Sequence, residues 1–148
     1  MDKKNLRDAL MAQLWRMYSM DIMLYLREFL VGETALLECL ASAGKTLTPG
    51  EISEKMHLSR ARTANILRTL RGKGFVAMEV ADDDRRKMLV TLTDAGRQHL
   101  LDKHTYLEGY FDKYVEVLGE ENISNLTALL KITADSESEL MRRFGGVQ

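Results

Sequence analysis

The order of apolar and polar positions divides this chain into helical stretches on either side of one short β-favouring region. From Ala9 to Leu26, 14 of 18 residues are apolar, and the run contains no Gly or Pro. A surface helix has a single apolar stripe, so a helix apolar nearly all round must be covered on several sides. In a chain this short, a second subunit is the economical cover. Near the other end, Ile123, Leu126, Leu129, Leu130 and Ile132 recur at near-helical spacing. Both chain ends are therefore expected to pack together, within one subunit and across a two-fold axis.

The middle of the chain is punctuated more sharply. Thr48-Pro49-Gly50-Glu51 predicts a helix start, with Thr48 as N-cap, Pro49 at the first helical position and Glu51 reaching back as in a capping box. That helix stops near His57-Leu58. Ser59 then caps another, which ends at Gly72-Lys73-Gly74. Two helices joined by a turn of a few residues make a helix-turn-helix. Phe75–Val80 and Met88–Leu92 favour strands and flank the polar tip Ala81-Asp82-Asp83-Asp84-Arg85-Arg86-Lys87, which predicts a hairpin.

The full map places helices at about 5–29, 32–43, 49–57, 59–72, 94–117 and 120–143, with strands near 75–80 and 87–92. Thr93 caps the fifth helix. The fold class is mainly α (α+β), and the chain of 148 residues is expected to form one continuous domain without repeat or linker.

Charge changes the picture because it is segregated. The net charge is −1, yet Ser59–Lys87 holds eight Lys or Arg against four acids, whereas His99–Glu139 holds three bases against nine acids. The helix after Ser59 carries Arg60, Arg62, Arg68, Arg71 and Lys73 and no acid. An anion-facing surface is thereby localised, with the remainder of the molecule repelled by a polyanion. On this helix Thr63, Ile66, Leu67 and Leu70 form the expected inward stripe, while Arg62, Asn65 and Thr69 share the outward one. Arg62 suits guanine O6 and N7, and Asn65 suits adenine N6 and N7. Arg60 and Arg68, on the flank, suit phosphates. An exposed arginine on a helix is most often simply solvated, so the warrant is the shared face and spacing. At the hairpin tip, Arg85 and Arg86 suit a narrow minor groove, whose enhanced negative potential attracts arginine. Asp84 is expected to support Arg86 by pairing with it or with a neighbouring guanidinium.

Leu58-Ser59 through Gly74-Phe75-Val76, then Asp84-Arg85-Arg86 and Leu92-Thr93-Asp94-Ala95-Gly96, resemble the MarR (multiple antibiotic resistance regulator) family of bacterial winged helix-turn-helix transcription factors. The resemblance implies a winged-helix DNA-binding lobe over 31–97, and an all-helical dimerisation lobe built from 1–30 and 98–148. It implies a cytoplasmic homodimer on a pseudo-palindromic double-stranded operator, with recognition helices in successive major grooves and wings in flanking minor grooves. It also implies Ser59 as a phosphate contact, Arg86 as the wing arginine and Asp84 as its support. Where the family often has Thr-Val-Ser-Arg, this chain has Arg62-Thr63-Ala64-Asn65, so no relative's operator can be borrowed. A repressor released by a small aromatic or amphipathic effector is the implied regulation, and Met11, Trp15 and Tyr18 offer an apolar, adaptable lining for such a ligand. Ordinary packing is the competing use of those three side chains.

Other functions find less support. One cysteine excludes an internal disulfide and suits a reducing compartment, and Cys39 sits at core spacing. No N-terminal signal sequence is evident, and Arg16 and Asp21 interrupt the apolar run that would otherwise suggest a membrane span. No nucleotide-binding glycine loop, HExxH or G-x-S-x-G motif is present, so no catalytic residue or cofactor is expected. His57, His99 and His104 lack ligand spacing, and Met17, Met20 and Met23 are more often core filler than copper ligands, so no metal is expected. A metal- or oxidant-responsive regulator, or a winged-helix interaction module without DNA binding, are the alternatives.

Overall fold

A computed structural model describes residues 1–145, so the last three residues of the expected 98–148 segment lie outside the described residues. Its elements are α1 (Lys3–Tyr18), α2 (Asp21–Glu28), α3 (Glu33–Ala43), α4 (Pro49–Met56), α5 (Arg60–Gly72), β1 (Val76–Val80), β2 (Met88–Leu92), α6 (Asp94–Leu118), α7 (Glu120–Asp135) and α8 (Glu137–Phe144). The chain forms two compact units, Met1–His104 and Thr105 onward, with the boundary inside α6.

The core of the first unit is assembled from Leu36, Leu37 and Leu40 of α3, Ile52 of α4, Leu67 and Leu70 of α5, Val76 of β1, Val90 of β2 and Leu100 of α6. Each such side chain contributes about 1.5–3 kcal/mol on burial. Strands β1 and β2 pair antiparallel, with Val76 opposite Leu92 and Val80 opposite Met88. Leu47 adds a single bridge to Val90, through N–O distances of 3.3 and 2.7 Å. No periodicity in the sequence marks this bridge. It pins the segment before α4 to the hairpin and buries Leu47.

Helix α6 is fastened to the end of α5 through Thr93. The Thr93 hydroxyl donates to Gly74 O (2.6 Å) and accepts from the Gly96 amide (3.0 Å). Gly96 is required by contact, since a Cβ there would lie 2.2 Å from Phe75 O. Tyr25 on α2 donates its hydroxyl to Lys103 O (3.3 Å), and the Lys103 ammonium lies 4.9 Å above the Tyr25 ring while bonding Glu28 at 2.6 Å. These contacts dock α2 on α6.

The expected continuous helix over 5–29 is two helices. Ser19 turns its hydroxyl back to Trp15 O (2.9 Å), Met20 adopts an extended conformation, and Asp21 opens α2 with a favourable charge in its first turn. The same local chemistry divides the expected last helix. The Ser136 hydroxyl bonds Ile132 O at 2.7 Å, and α8 begins at the next residue. In the second unit, Gly119 (φ +84°) separates α6 from α7, while Tyr110, Phe111 and Tyr114 form an aromatic cluster on α6 with ring centroids 5.2–6.4 Å apart. Neither α1, α7 nor α8 has a buried residue. No helix among the described residues is long and apolar enough to cross a membrane.

Candidate nucleic-acid interface

The first helix of the central pair is fixed at both ends by its own sequence. Thr48 Oγ1 accepts from the Glu51 amide (3.2 Å), and the Glu51 carboxylate accepts from the Thr48 amide (3.3 Å), closing the capping box. His57 ends α4 in the left-handed conformation (φ 53°). Two residues on, Ser59 Oγ accepts from the Arg62 amide at 3.1 Å and starts α5. Four amides at a helix start lack intrahelical partners, so the N-terminus of α5 carries partial positive charge beside Arg60 and Arg62.

A buried hydroxyl relay sets one helix against the other. Thr63, fully buried, donates to Ser59 O (3.0 Å), so its oxygen is left to accept from Ser53 of α4 at 2.9 Å. Thr63 lies on the expected inward stripe, but its bond to Ser53 has no sequence signal, since a Ser and a Thr ten residues apart carry no periodicity. With Thr63, Leu67 and Leu70 buried, α5 exposes Arg60, Arg62, Asn65, Arg68, Thr69 and Arg71. Arg68 Nη1 donates to Asn65 Oδ1 (3.1 Å), and Thr69 donates its hydroxyl to Asn65 O (3.2 Å). Lys73 is set apart from this face by an ion pair with Glu33 (2.7 Å). A shallow groove bounded by Pro49, Ala64, Leu67, Arg68, Arg71 and Met78 runs between α5 and β1.

At the hairpin tip Asp84 acts through the backbone. Its Oδ1 accepts from the Arg86 amide (2.9 Å), its carbonyl accepts from the Lys87 amide (3.0 Å), and Lys87 O accepts from the Ala81 amide (2.8 Å). The guanidinium pairing expected for Asp84 is absent among the described residues. A short carboxylate two residues before an amide closes an Asx turn more readily than it reaches a long, solvated guanidinium. Arg85, Arg86 and Lys87 are consequently exposed and have no ion pair among the described residues. Ser59 is exposed as well.

The remaining residues singled out from sequence are dispersed. Met11, Trp15 and Tyr18 stand exposed on α1 and do not line the groove beside α5. Met20 falls in the break between α1 and α2, so Met17, Met20 and Met23 do not share one helix face. Cys39 is partly buried against the core; burial pushes its thiol pKa up, and the nearby Lys55 charge opposes this. His99 stacks on Phe75 (centroids 4.3 Å), and His104 bonds Glu38 and packs on Phe29. No group of His, Cys, Asp and Glu among the described residues could hold a metal ion.

Comparison with known proteins follows the same geometry. A family model for the IclR helix-turn-helix domain matches residues 34–79, about a third of the chain, from α3 into β1. An uncharacterised HTH-type transcriptional regulator of Bacillus subtilis, YwaE, is 27% identical over 86 residues, 58% of this chain, and the match spans about half the length of that relative. Among solved structures, the YusO protein of Bacillus subtilis aligns with a TM-score of 0.76 at 19% identity, covering 92% of this chain and 99% of that one. The MepR–DNA complex of S. aureus aligns with a TM-score of 0.68 at 22% identity, covering 84% of this chain and 98% of that one. The chain has the winged helix-turn-helix fold of these regulators.

Proposed function

We propose that this chain is a sequence-specific double-stranded DNA-binding transcriptional regulator of MarR type, acting as a homodimeric repressor. The observation that carries the reading is the acid-free outward face of α5, together with a hairpin tip whose three cationic side chains have no ion pair among the described residues. A rod of this width fits the major groove, and a basic loop alongside it fits the flanking minor groove. Arg62, Asn65 and Thr69 face base edges; Ser59 and Arg60, at the positive end of α5, meet phosphate; Arg85 and Arg86 enter the minor groove. YusO and MepR, which belong to the MarR family, share this fold along nearly the whole chain, whereas the IclR model reaches only the helix-turn-helix segment common to many regulators.

The uncovered apolar side chains on α1 and, separately, on α7 and α8 support a dimer. A two-fold dimer then expects half-sites about 10 base pairs apart. The aromatic and thioether surface of α1 at Met11, Trp15 and Tyr18 suits a small aromatic or amphipathic effector. A screen in which no such compound alters melting temperature or operator affinity removes ligand release from the proposal.

The deciding experiment is selection of bound sequences from random duplex DNA, followed by titration at several salt concentrations. An inverted repeat and a steep negative slope of log K against log[salt] support the reading. An interaction module that does not bind DNA would yield neither.

A further inference from the structure

A polar cleft of about 380 Å³ opens where α2, α3, the end of α5 and α6 meet. That volume lies in the range of small-ligand sites. Thr34, on its wall, is only 5% exposed, yet its hydroxyl has no hydrogen bond among the described residues. Every fully enclosed side-chain oxygen or nitrogen among them has a partner. The Thr34 hydroxyl is therefore open, and the opening that Thr34 borders is the cleft. Helix α3 starts at the same place. Gly32 supplies no side-chain cap, and the first amide with a helical acceptor is that of Leu36. The amides of Glu33, Thr34 and Ala35 thus have no acceptor among the described residues and carry the partial positive charge of a helix start.

The walls of the cleft carry both signs of charge. Lys73 Nζ donates to Glu33 Oε2 (2.7 Å), and Lys103 Nζ donates to Glu28 Oε2 (2.6 Å). Each pair uses one donor and one oxygen, so N–H groups remain on both ammoniums and Oε1 remains on both carboxylates. The His99 ring, held by stacking on Phe75, completes the lining. A plain anion drawn to the start of α3 would face two glutamates, and a plain cation would face two lysines and the helix start. A ligand carrying both charges meets neither penalty. We infer that the cleft binds a small zwitterion of the free α-amino acid class. Its carboxylate takes the Thr34 hydroxyl and the α3 amides, and its ammonium takes the open oxygens of Glu28 and Glu33. The site shares no residue with the outward face of α5, the hairpin tip, or Met11, Trp15 and Tyr18, so it stands whether or not α5 reads DNA.

The test titrates the full-length protein calorimetrically with each of the twenty free amino acids at neutral pH. At least one is expected to bind saturably, one per chain, and to raise the melting temperature. Acetate, methylamine and inorganic phosphate, each offering a single sign of charge, should bind roughly tenfold more weakly or worse. Thr34→Val keeps the side-chain shape without the hydroxyl and should lose about tenfold in affinity for that amino acid, whereas Thr34→Ser retains it. Glu28→Gln should lose a comparable factor for the amino acid, while acetate binds no more weakly than to the wild type. Equal melting temperatures without ligand confirm intact folding.

Saturable binding of none of the twenty amino acids overturns the inference. So does acetate or phosphate binding as tightly as the best amino acid, which would make the cleft an oxyanion site alone. A Thr34→Val variant with wild-type affinity overturns it as well, by placing the amino acid elsewhere. If Thr34→Val melts below the wild type without ligand, Glu28→Gln decides, because a folding defect would not weaken the amino acid while sparing acetate.

Discussion

At the scale of single residues, the proposed function distinguishes side chains exposed and available for contact with DNA from those that set backbone geometry. Arg62 is of the first kind, with an exposed guanidinium on the turn that follows the Ser59 cap. Arg62→Ala should cost roughly 1–3 kcal/mol on a specific operator and much less on random duplex. Equal losses on both would reassign Arg62 to phosphate. Asp84 is of the second kind, and its two effects on DNA binding oppose each other. Its charge repels phosphate, while its bond to the Arg86 amide shapes the tip. Asp84→Asn keeps the turn without the charge and should bind as tightly as wild type or tighter at low salt. Asp84→Ala loses a bond worth about 0.5–1.5 kcal/mol and should lose preference at positions flanking the half-site. Identical gains in the two variants, read by titration on the same operator, would remove Asp84 from wing positioning. Cys39 touches neither role. Because burial raises its thiol pKa, alkylation at neutral pH should run many times slower in the folded protein than in urea. Equal rates in the two states would contradict that burial.

At the scale of elements, what could be read from sequence was what local chemistry encodes. The Thr48-Pro49-Gly50-Glu51 box and the Ser59 cap are satisfied within three residues of themselves, so α4 and α5 begin where the sequence places them. The break at Ser19 was illegible because apolar positions run through it, and that at Ser136 because the polar stretch 133–139 holds no Gly or Pro; one hydroxyl bonding back to a carbonyl leaves no mark on either pattern. The Leu47–Val90 bridge and the Ser53–Thr63 bond were hidden for a different reason: each joins segments whose approach only the folded chain defines. Gly96 lies between these cases, visible as a residue but not as a contact. Its Cβ would meet Phe75 O and Leu92 Cδ1, so Gly96→Ala must push α6 away from the end of α5. Denaturant unfolding should show a loss of about 1–3 kcal/mol from overpacking. Gly109, in the same helix with nothing within 4 Å of its would-be Cβ, supplies the control. Gly109→Ala should be neutral or gain about 0.5–1 kcal/mol from helix propensity. If both variants unfolded alike, close approach at Gly96 would not be the reason glycine is needed there.

At the scale of the whole molecule, the difficulty is apolar surface that one chain does not bury. On α1, Trp15 is 67% exposed and Leu10 60%; on α7, Leu129 and Ile132 are each 62% exposed. Such side chains cluster on helices with no buried residue, whereas isolated exposed leucines would be unremarkable. In the proposed homodimer a second copy of the chain would cover them and double the cationic face, which matters because the net charge of one chain is only −1. Two weak half-site contacts joined in one rigid dimer gain effective concentration, typically 10²–10⁴-fold in avidity. Folding and assembly are then linked, so the melting temperature should rise with protein concentration. Leu10→Asp and Ile132→Asp, in separate units, should each shift sedimentation toward monomer. Each should reduce affinity for a full operator by about two orders of magnitude, while affinity for a single half-site changes little. That asymmetry is the decisive readout. A general folding defect would weaken both duplexes together, and a variant that stays dimeric with full operator affinity would place the subunit interface elsewhere.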